Sequence, residues 1–149
     1  IKIEELENGY KIFRGLPKAY NINLENCPDL GPILTVLSAY GDGEFKIYNA
    51  QRLRYKESDR IEAMENELKK LGVQISSDES NIYIKGNSKY ISCNEVFGHK
   101  DHRIVMSLAI FATLLDSPLI IEGAEAISKS YPNFFEDLKN LNIKIEITD

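Results

Sequence analysis

Three short stretches concentrate the residues that could do chemistry. "RYKESDR" places Arg54, Lys56, Glu57, Asp59 and Arg60 within seven residues, "KDHR" joins Lys100, Asp101, His102 and Arg103, and "SKSYP" carries Lys129. A fourth acid, Asp29, follows Pro28. Arginine makes planar, bidentate contacts with carboxylates and phosphates. A lysine among other cations, or a carboxyl among cations, can give and take protons. This combination suits a site that holds an anion and moves a proton. Taken singly, each stretch also reads as a capped helix start or a satisfied turn.

The elements around these stretches favour the functional reading. After Arg60 the apolar residues Ile61, Met64, Leu68 and Leu71 fall at helical spacing, so the charges crowd the start of a helix. Helix starts expose free N–H groups and a positive dipole end. The chain also repeats itself. "PDLGPILTVLSAYGDGEFKIYNA" lies over "KDHRIVMSLAIFATLLDSPLIIEGA", with Asp29 over Asp101, and "MENELKKLGVQIS" lies over "FFEDLKNLNIKIE". Each unit reads as an apolar helix, a strand, a charged loop, an amphipathic helix and a strand, and the first adds the strand "NIYIKG".

Ile33 to Leu37 and Ile104 to Leu115 are apolar nearly all round, which predicts buried helices, the second the most buried element. The second helices should lie on the surface, with Pro132 in the first turn of its helix. "IKIEELENGYKIFRG" resembles "VQISSDESNIYIKG" and reads as the tail of an earlier unit, residues 1–20; units at 21–90 and 91–149 follow. The charged loops match between repeats, so Asp29, Lys56, Glu57, Arg60, Asp101, His102, Arg103 and Lys129 are expected around a single face.

Composition narrows the partners. The 149 residues suffice for a sizeable core. A net charge of −5 argues against nucleic acid or an anionic membrane as partner. Cys27 and Cys93 lack metal or CxxC spacing and read as reduced thiols of a cytoplasmic protein. His99 and His102 show no zinc pattern, and no apolar run spans a membrane. The chain opens on Ile1 and its methionines are Met64 and Met106, which reads as a cut or processed chain.

"RYKESDR", "KDHRIVMSLAI" and "SKSYPNFFEDL", with "CPD" before them, together resemble the 5-enolpyruvylshikimate-3-phosphate synthase family along essentially the whole chain. The resemblance implies an α/β (α+β) fold of βαβαββ units with buried inner helices, here about two of the three units of a C-terminal domain. The N-terminal domain would then be a partner outside this chain. It implies transfer of the enolpyruvyl group of phosphoenolpyruvate to the 5-hydroxyl of shikimate 3-phosphate, with release of phosphate and without cofactor or metal.

By motif, the resemblance gives phosphoenolpyruvate to Arg60 and Arg103, with Lys129 beside them. Asp29 is the base on the attacking hydroxyl, and Lys56 contacts the shikimate phosphate. Glu57 and Lys129 move the methylene proton, and His102 is a hydrogen-bonding neighbour. A family position occupied in some members by Asn is Arg52 here, so that contact is not assigned. Alternatives are UDP-N-acetylglucosamine enolpyruvyl transferase and an anion-binding module without catalysis. The isolated chain is expected to be inactive, to leave Arg60, Arg103 and Lys129 hydrated, and to self-associate through uncovered apolar surface.

Overall fold

The computed structural model describes residues 2–86, 89–91, 93 and 95–148. Two parallel β-α-β crossovers organise it. In the first, β3 (Asn21–Asn23) is followed by α1 (Gly31–Tyr40) and then β4 (Glu44–Tyr48), which pairs parallel with β3. In the second, β7 (Glu95–Phe97) leads into α3 (His102–Ala112) and β8 (Ile120–Glu122), again parallel. After β4 the chain passes through α2 (Arg60–Lys70) into β5 (Gln74–Ser77) and β6 (Ile82–Lys85). These add antiparallel strands, giving the order β3-β4-β6-β5. A separate hairpin, β1 (Ile3–Leu6) and β2 (Gly9–Ile12), opens the chain.

Alternation turns one face of the four-stranded sheet inward. Phe45, Ile47, Ile75, Ile82 and Ile84 are buried, while Lys85 points out. α1 and α2 pack on this sheet, and α3 packs on α1. Leu24, Val36, Leu53, Met64, Leu68, Leu108 and Phe111 close one continuous core. A second cluster, Val105, Ala109, Ala126, Ile127, Phe134 and Leu138, seats α4 (Phe134–Asn140) on the other side of α3.

α3 (His102–Ala112) has no exposed residue, as its apolar sequence requires, but it stops short of the expected Leu115, and Thr113 beyond its end is exposed. α1 departs from expectation. Leu37 is 39% exposed and Ile33 37%, while Thr35 is buried and donates its hydroxyl to the Gly31 carbonyl. α1 is covered by the sheet and α3 on one side only. The open side borders a groove lined by Pro17, Tyr20, Ile22, Leu34, Leu37 and Phe45.

Three further readings need correction. Pro132 lies just before the N-cap Asn133 of α4 rather than in its first turn. Lys129 ends a 3-10 turn, Ala124–Lys129, and does not lead directly into α4. The strand expected at "IKIE" is not formed. β5 is a strand because β6 pairs with it, and among the described residues nothing pairs with Ile143 to Glu146. Ile143 and Ile145 still pack on the second cluster.

Leu108→Ala is expected to cost about 2–5 kcal/mol, because α3 is enclosed on all sides. Leu37→Ala on the open side of α1 should cost less than about 1 kcal/mol. Urea unfolding of the two variants gives the comparison.

Candidate active site

The charged stretches converge where three helical elements begin. Asp59 caps α2, its carboxylate accepting from the Glu62 N–H at 3.0 Å, and Arg60 is the first helical residue. Asp101 caps α3 and accepts from the Arg103 N–H at 2.9 Å. Asp29 lies in a 3-10 turn, Pro28–Leu30, just before α1. It caps nothing there, and its carboxylate is directed at the other two helix starts.

Arg60 is the hub. Its side chain is 1% exposed, and that of Asp101 is fully buried. Arg60 Nε donates to Asp101 Oδ2 at 2.8 Å and Nη2 to Asp101 Oδ1 at 3.2 Å, a bidentate pair. Nη2 also reaches Glu57 Oε2 at 2.7 Å, and Nη1 reaches Asp29 Oδ1 at 3.0 Å. Ser58 donates its hydroxyl to Asp101 at 3.0 Å. Arg103 approaches Asp29 from the other side, with Nη2 at 3.2 Å from Oδ2 and Nη1 at 3.3 Å from the Asp29 carbonyl. Lys56 Nζ stands 3.4 Å from Asp29 Oδ1.

Six of the eight residues therefore form one connected network: Asp29, Lys56, Glu57, Arg60, Asp101 and Arg103. Lys129 lies at its edge, its ammonium 3.4 Å from the carbonyl of Lys100. His102 is buried beside the network, and its ring Nδ1 has no hydrogen-bond partner among the described residues. Arg60 is not hydrated as expected; its donors are taken up by three carboxylates. Arg103 and Lys129 remain partly or wholly accessible.

The electrostatics follow from this enclosure. Burial pushes the Asp101 carboxyl up, but the Arg60 hydrogen bonds and charge, the Arg103 N–H and the Ser58 hydroxyl outweigh it and hold it below its ordinary 3.8. Asp29 also loses hydration, and Arg103, Arg60 and Lys56 more than offset this, so its carboxyl is held low as well. Counted together, Lys56, Arg60, Arg103 and Lys129 face Asp29, Glu57 and Asp101. The site is nearly neutralised from within, in a chain of net charge −5. Among the described residues no group of His, Cys, Asp and Glu could hold a metal ion, and no helix is long and apolar enough to cross a membrane.

A match to the family model described as EPSP synthase (3-phosphoshikimate 1-carboxyvinyltransferase) covers residues 3–138. The chain belongs to the EPSP synthase family. A relative from Clostridioides difficile (strain 630), named 3-phosphoshikimate 1-carboxyvinyltransferase, is 44% identical over 147 residues, which is 97% of this chain and 33% of the relative. The chain thus spans about a third of the length of the curated relatives it matches. The structure of EPSP synthase from Acinetobacter baumannii superposes with a TM-score of 0.75 at 32% identity, covering 82% of this chain and 29% of that one. The enolpyruvyl transferase NikO from Streptomyces tendae shares the fold, with a TM-score of 0.69 at 20% identity over 89% of this chain and 29% of its own. The enolpyruvyl transferase fold is therefore that of this chain.

Sequence reasoning left two residues of this region without a role, Glu67 and His99. The available signal was Glu67 itself. It stands two helical turns after Arg60, next to Leu68 on the buried stripe of α2, where a charge has to be explained.

Asp101→Asn should cost about 3–5 kcal/mol, because it leaves the Arg60 charge buried without its counter-charge. Wild-type stability should also fall in acid. Carboxyls depressed in the folded state, Asp29, Asp101, Glu65 and Glu67, contribute fully above their unfolded values near pH 4. That contribution disappears as the pH drops through the lower folded values. Urea midpoints measured from pH 7 to pH 3 should decline below about pH 4.5.

Proposed function

We propose that this chain supplies one wall of an active site for enolpyruvyl transfer from phosphoenolpyruvate to the 5-hydroxyl of shikimate 3-phosphate, within the shikimate pathway to chorismate and the aromatic amino acids. The observation that carries the reading is the convergence of Lys56, Arg60 and Arg103 on the single carboxylate of Asp29, at 3.4, 3.0 and 3.2 Å. The two oxygens of one carboxylate thus stand within reach of three cations, Oδ1 of Lys56 and Arg60 and Oδ2 of Arg103, from two helix starts and the loop before one of them. A substrate carboxylate or phosphate could take a place of the same kind.

In this reading Arg60 and Arg103 bind phosphoenolpyruvate, with Lys129 at the rim, and Lys56 meets the shikimate phosphate. Asp29 is the base for the attacking hydroxyl. When substrate anions claim Arg60, Arg103 and Lys56, Asp29 loses the cations that hold its carboxyl low. Its proton affinity then rises as the substrates arrive, which suits a base. Glu57 and Lys129 deliver and remove the methylene proton, and His102 supports the site through its ring.

The other wall belongs to the two thirds of the relatives' length that this chain does not span, and catalysis needs both. The boundaries at residues 21 and 91 divide the chain into its two units, and the cytoplasm is its compartment. The open stripe of α1, with the exposed Ile3, Leu6, Tyr10 and Ile12 of the hairpin, supports association through apolar surface, with the rest of the enzyme or with a second copy.

A phosphate-release assay with both substrates tests this reading. The chain alone should show no turnover, because orientation by the second wall can be worth roughly 7–11 kcal/mol of barrier. Adding the separately produced N-terminal two thirds of the Clostridioides difficile relative should restore it. Arg103→Ala in the mixture should cost about 10²-fold or more in kcat/KM. Turnover by the chain alone, or an indifferent Arg103→Ala, would contradict the reading.

A further inference from the structure

The turn before the cap of α3 has a costly backbone. His99 and Lys100 have φ of 52° and 54°, in the left-handed region. Non-glycine residues hold such conformations only where their surroundings impose them, at about 1–3 kcal/mol each. Part of the constraint comes from the backbone. The Gly98 N–H donates to the Glu122 carbonyl at 2.8 Å, and the Asp101 N–H to the Gly98 carbonyl at 3.0 Å. Gly98 is packed so closely that a Cβ there would lie 2.4 Å from Val105 Cγ2.

The rings of Phe97 and His99 also meet edge-on, 5.1 Å between centroids, and a further tie comes from one side chain of another element. Glu67 on α2 is 2% exposed. Its Oε2 accepts from the Phe97 N–H at 3.0 Å and from Lys70 Nζ at 2.6 Å, and its Oε1 meets His99 Nε2 at 2.9 Å. An apolar side chain could fill this stripe of α2 without desolvating a charge. The carboxylate does what an apolar group cannot: it ties residues 97 and 99, on either side of Gly98, to the helix that carries Arg60.

We propose that Glu67 is a positioning residue of the candidate site, fixing from α2 the Phe97–Lys100 turn and, through it, the placement of Asp101 and Arg103 against Arg60. Its functional meaning rests on the reading of Arg60 and Arg103 as anion-binding residues. α2 then holds the start of α3 at two points. One is the Arg60–Asp101 pair at the cap, and the other is Glu67 on the turn just before it. The same turn presents the Lys100 carbonyl to Lys129, so Glu67 also influences the rim. Burial pushes the Glu67 carboxyl up, but Lys70, His99 and the Phe97 N–H more than compensate and keep it ionised. An ionised carboxylate only accepts hydrogen bonds, so His99 must carry its proton on Nε2.

The test is nitrogen-15 NMR of the chain, in which His99 and His102 are the only histidines, with inorganic phosphate as the binding probe. Glu67→Gln is compared with Glu65→Gln, a control on the same helix whose carboxylate bonds Lys69 and Ser77. In the wild type and the control, neutral His99 should be the Nε2–H tautomer; in Glu67→Gln the two tautomers should mix. The Arg60 Nε–H and Arg103 N–H resonances should move in Glu67→Gln and stay in the control, and phosphate affinity should fall at least about fivefold, near 1 kcal/mol.

Should Glu67→Gln fail to fold, His99→Asn, which tolerates left-handed backbone, should shift the same resonances by less. Loss of stability with unmoved Arg60 and Arg103 resonances would overturn the proposal. If phosphate binds neither protein, the anion-binding reading fails, while the Arg60 and Arg103 resonances still decide the role of Glu67.

Discussion

The arrangement depends on one desolvated ion pair, Arg60 with Asp101. Both side chains are almost completely out of water, and each is the first or capping residue of its helix. Charges so placed are costly unless every donor and lone pair is used. Here nearly all are: four of the five guanidinium N–H groups go to three carboxylates, and Asp101 accepts from Arg60, Ser58 and the Arg103 N–H. The pair brings the starts of α2 and α3 together. Two positive helix ends that would repel each other are joined by a capping acid and its arginine. The apolar core beneath, from Ile61 and Met64 to Ile104 and Leu108, keeps water from the pair.

This constraint separates the residues of the site into two kinds. Arg60 and Asp101 are fixed, because neither can turn away without leaving a buried charge. Asp29, Glu57, Lys56 and Arg103 lie toward solvent, and their contacts can be exchanged. Asp29 occupies the meeting point of the cations and so acts as an internal stand-in for an anion. On the proposed function, a substrate with more charge, or better geometry, displaces this stand-in, and Asp29 becomes a stronger base as its cations are drawn off. Self-neutralisation and catalysis are, on that proposal, two states of the same contacts.

Much of this was legible in the sequence, for physical reasons. The start of α2 was readable because Asp59-Arg60 precedes Ile61, Met64, Leu68 and Leu71 at helical spacing. The burial of α3 was readable because Ile104 to Leu115 offers no polar stripe, although the helix stops at Ala112. The repeat foretold which loops would meet. The strands β3 and β7 did not declare themselves as residue patterns, since three residues carry too little alternation. The exposure of α1 was misread because an all-apolar helix says that it should be covered, and not whether it is. The burial of Arg60 was missed because "KESDR" looks like a solvated helix start until Asp101, 41 residues away, is brought against it. Lys56 and Glu57 could be placed beside Arg60; Glu57 pairs with it locally, three residues on, whereas the partner of Lys56, Asp29, lies far back in the chain.

The central claim is that Asp29 is a displaceable stand-in on a fixed cationic frame. Calorimetric titration of inorganic phosphate at low salt into wild-type protein and Asp29→Ala tests it most directly. Asp29 is about half exposed, so its removal should leave the fold intact. Removing the competing carboxylate while Arg60 stays clamped by Asp101 should make phosphate bind several-fold tighter, with the gain shrinking as salt is raised. Unchanged or weaker phosphate binding in Asp29→Ala would show that Asp29 is not a stand-in for the anion, and would contradict the account.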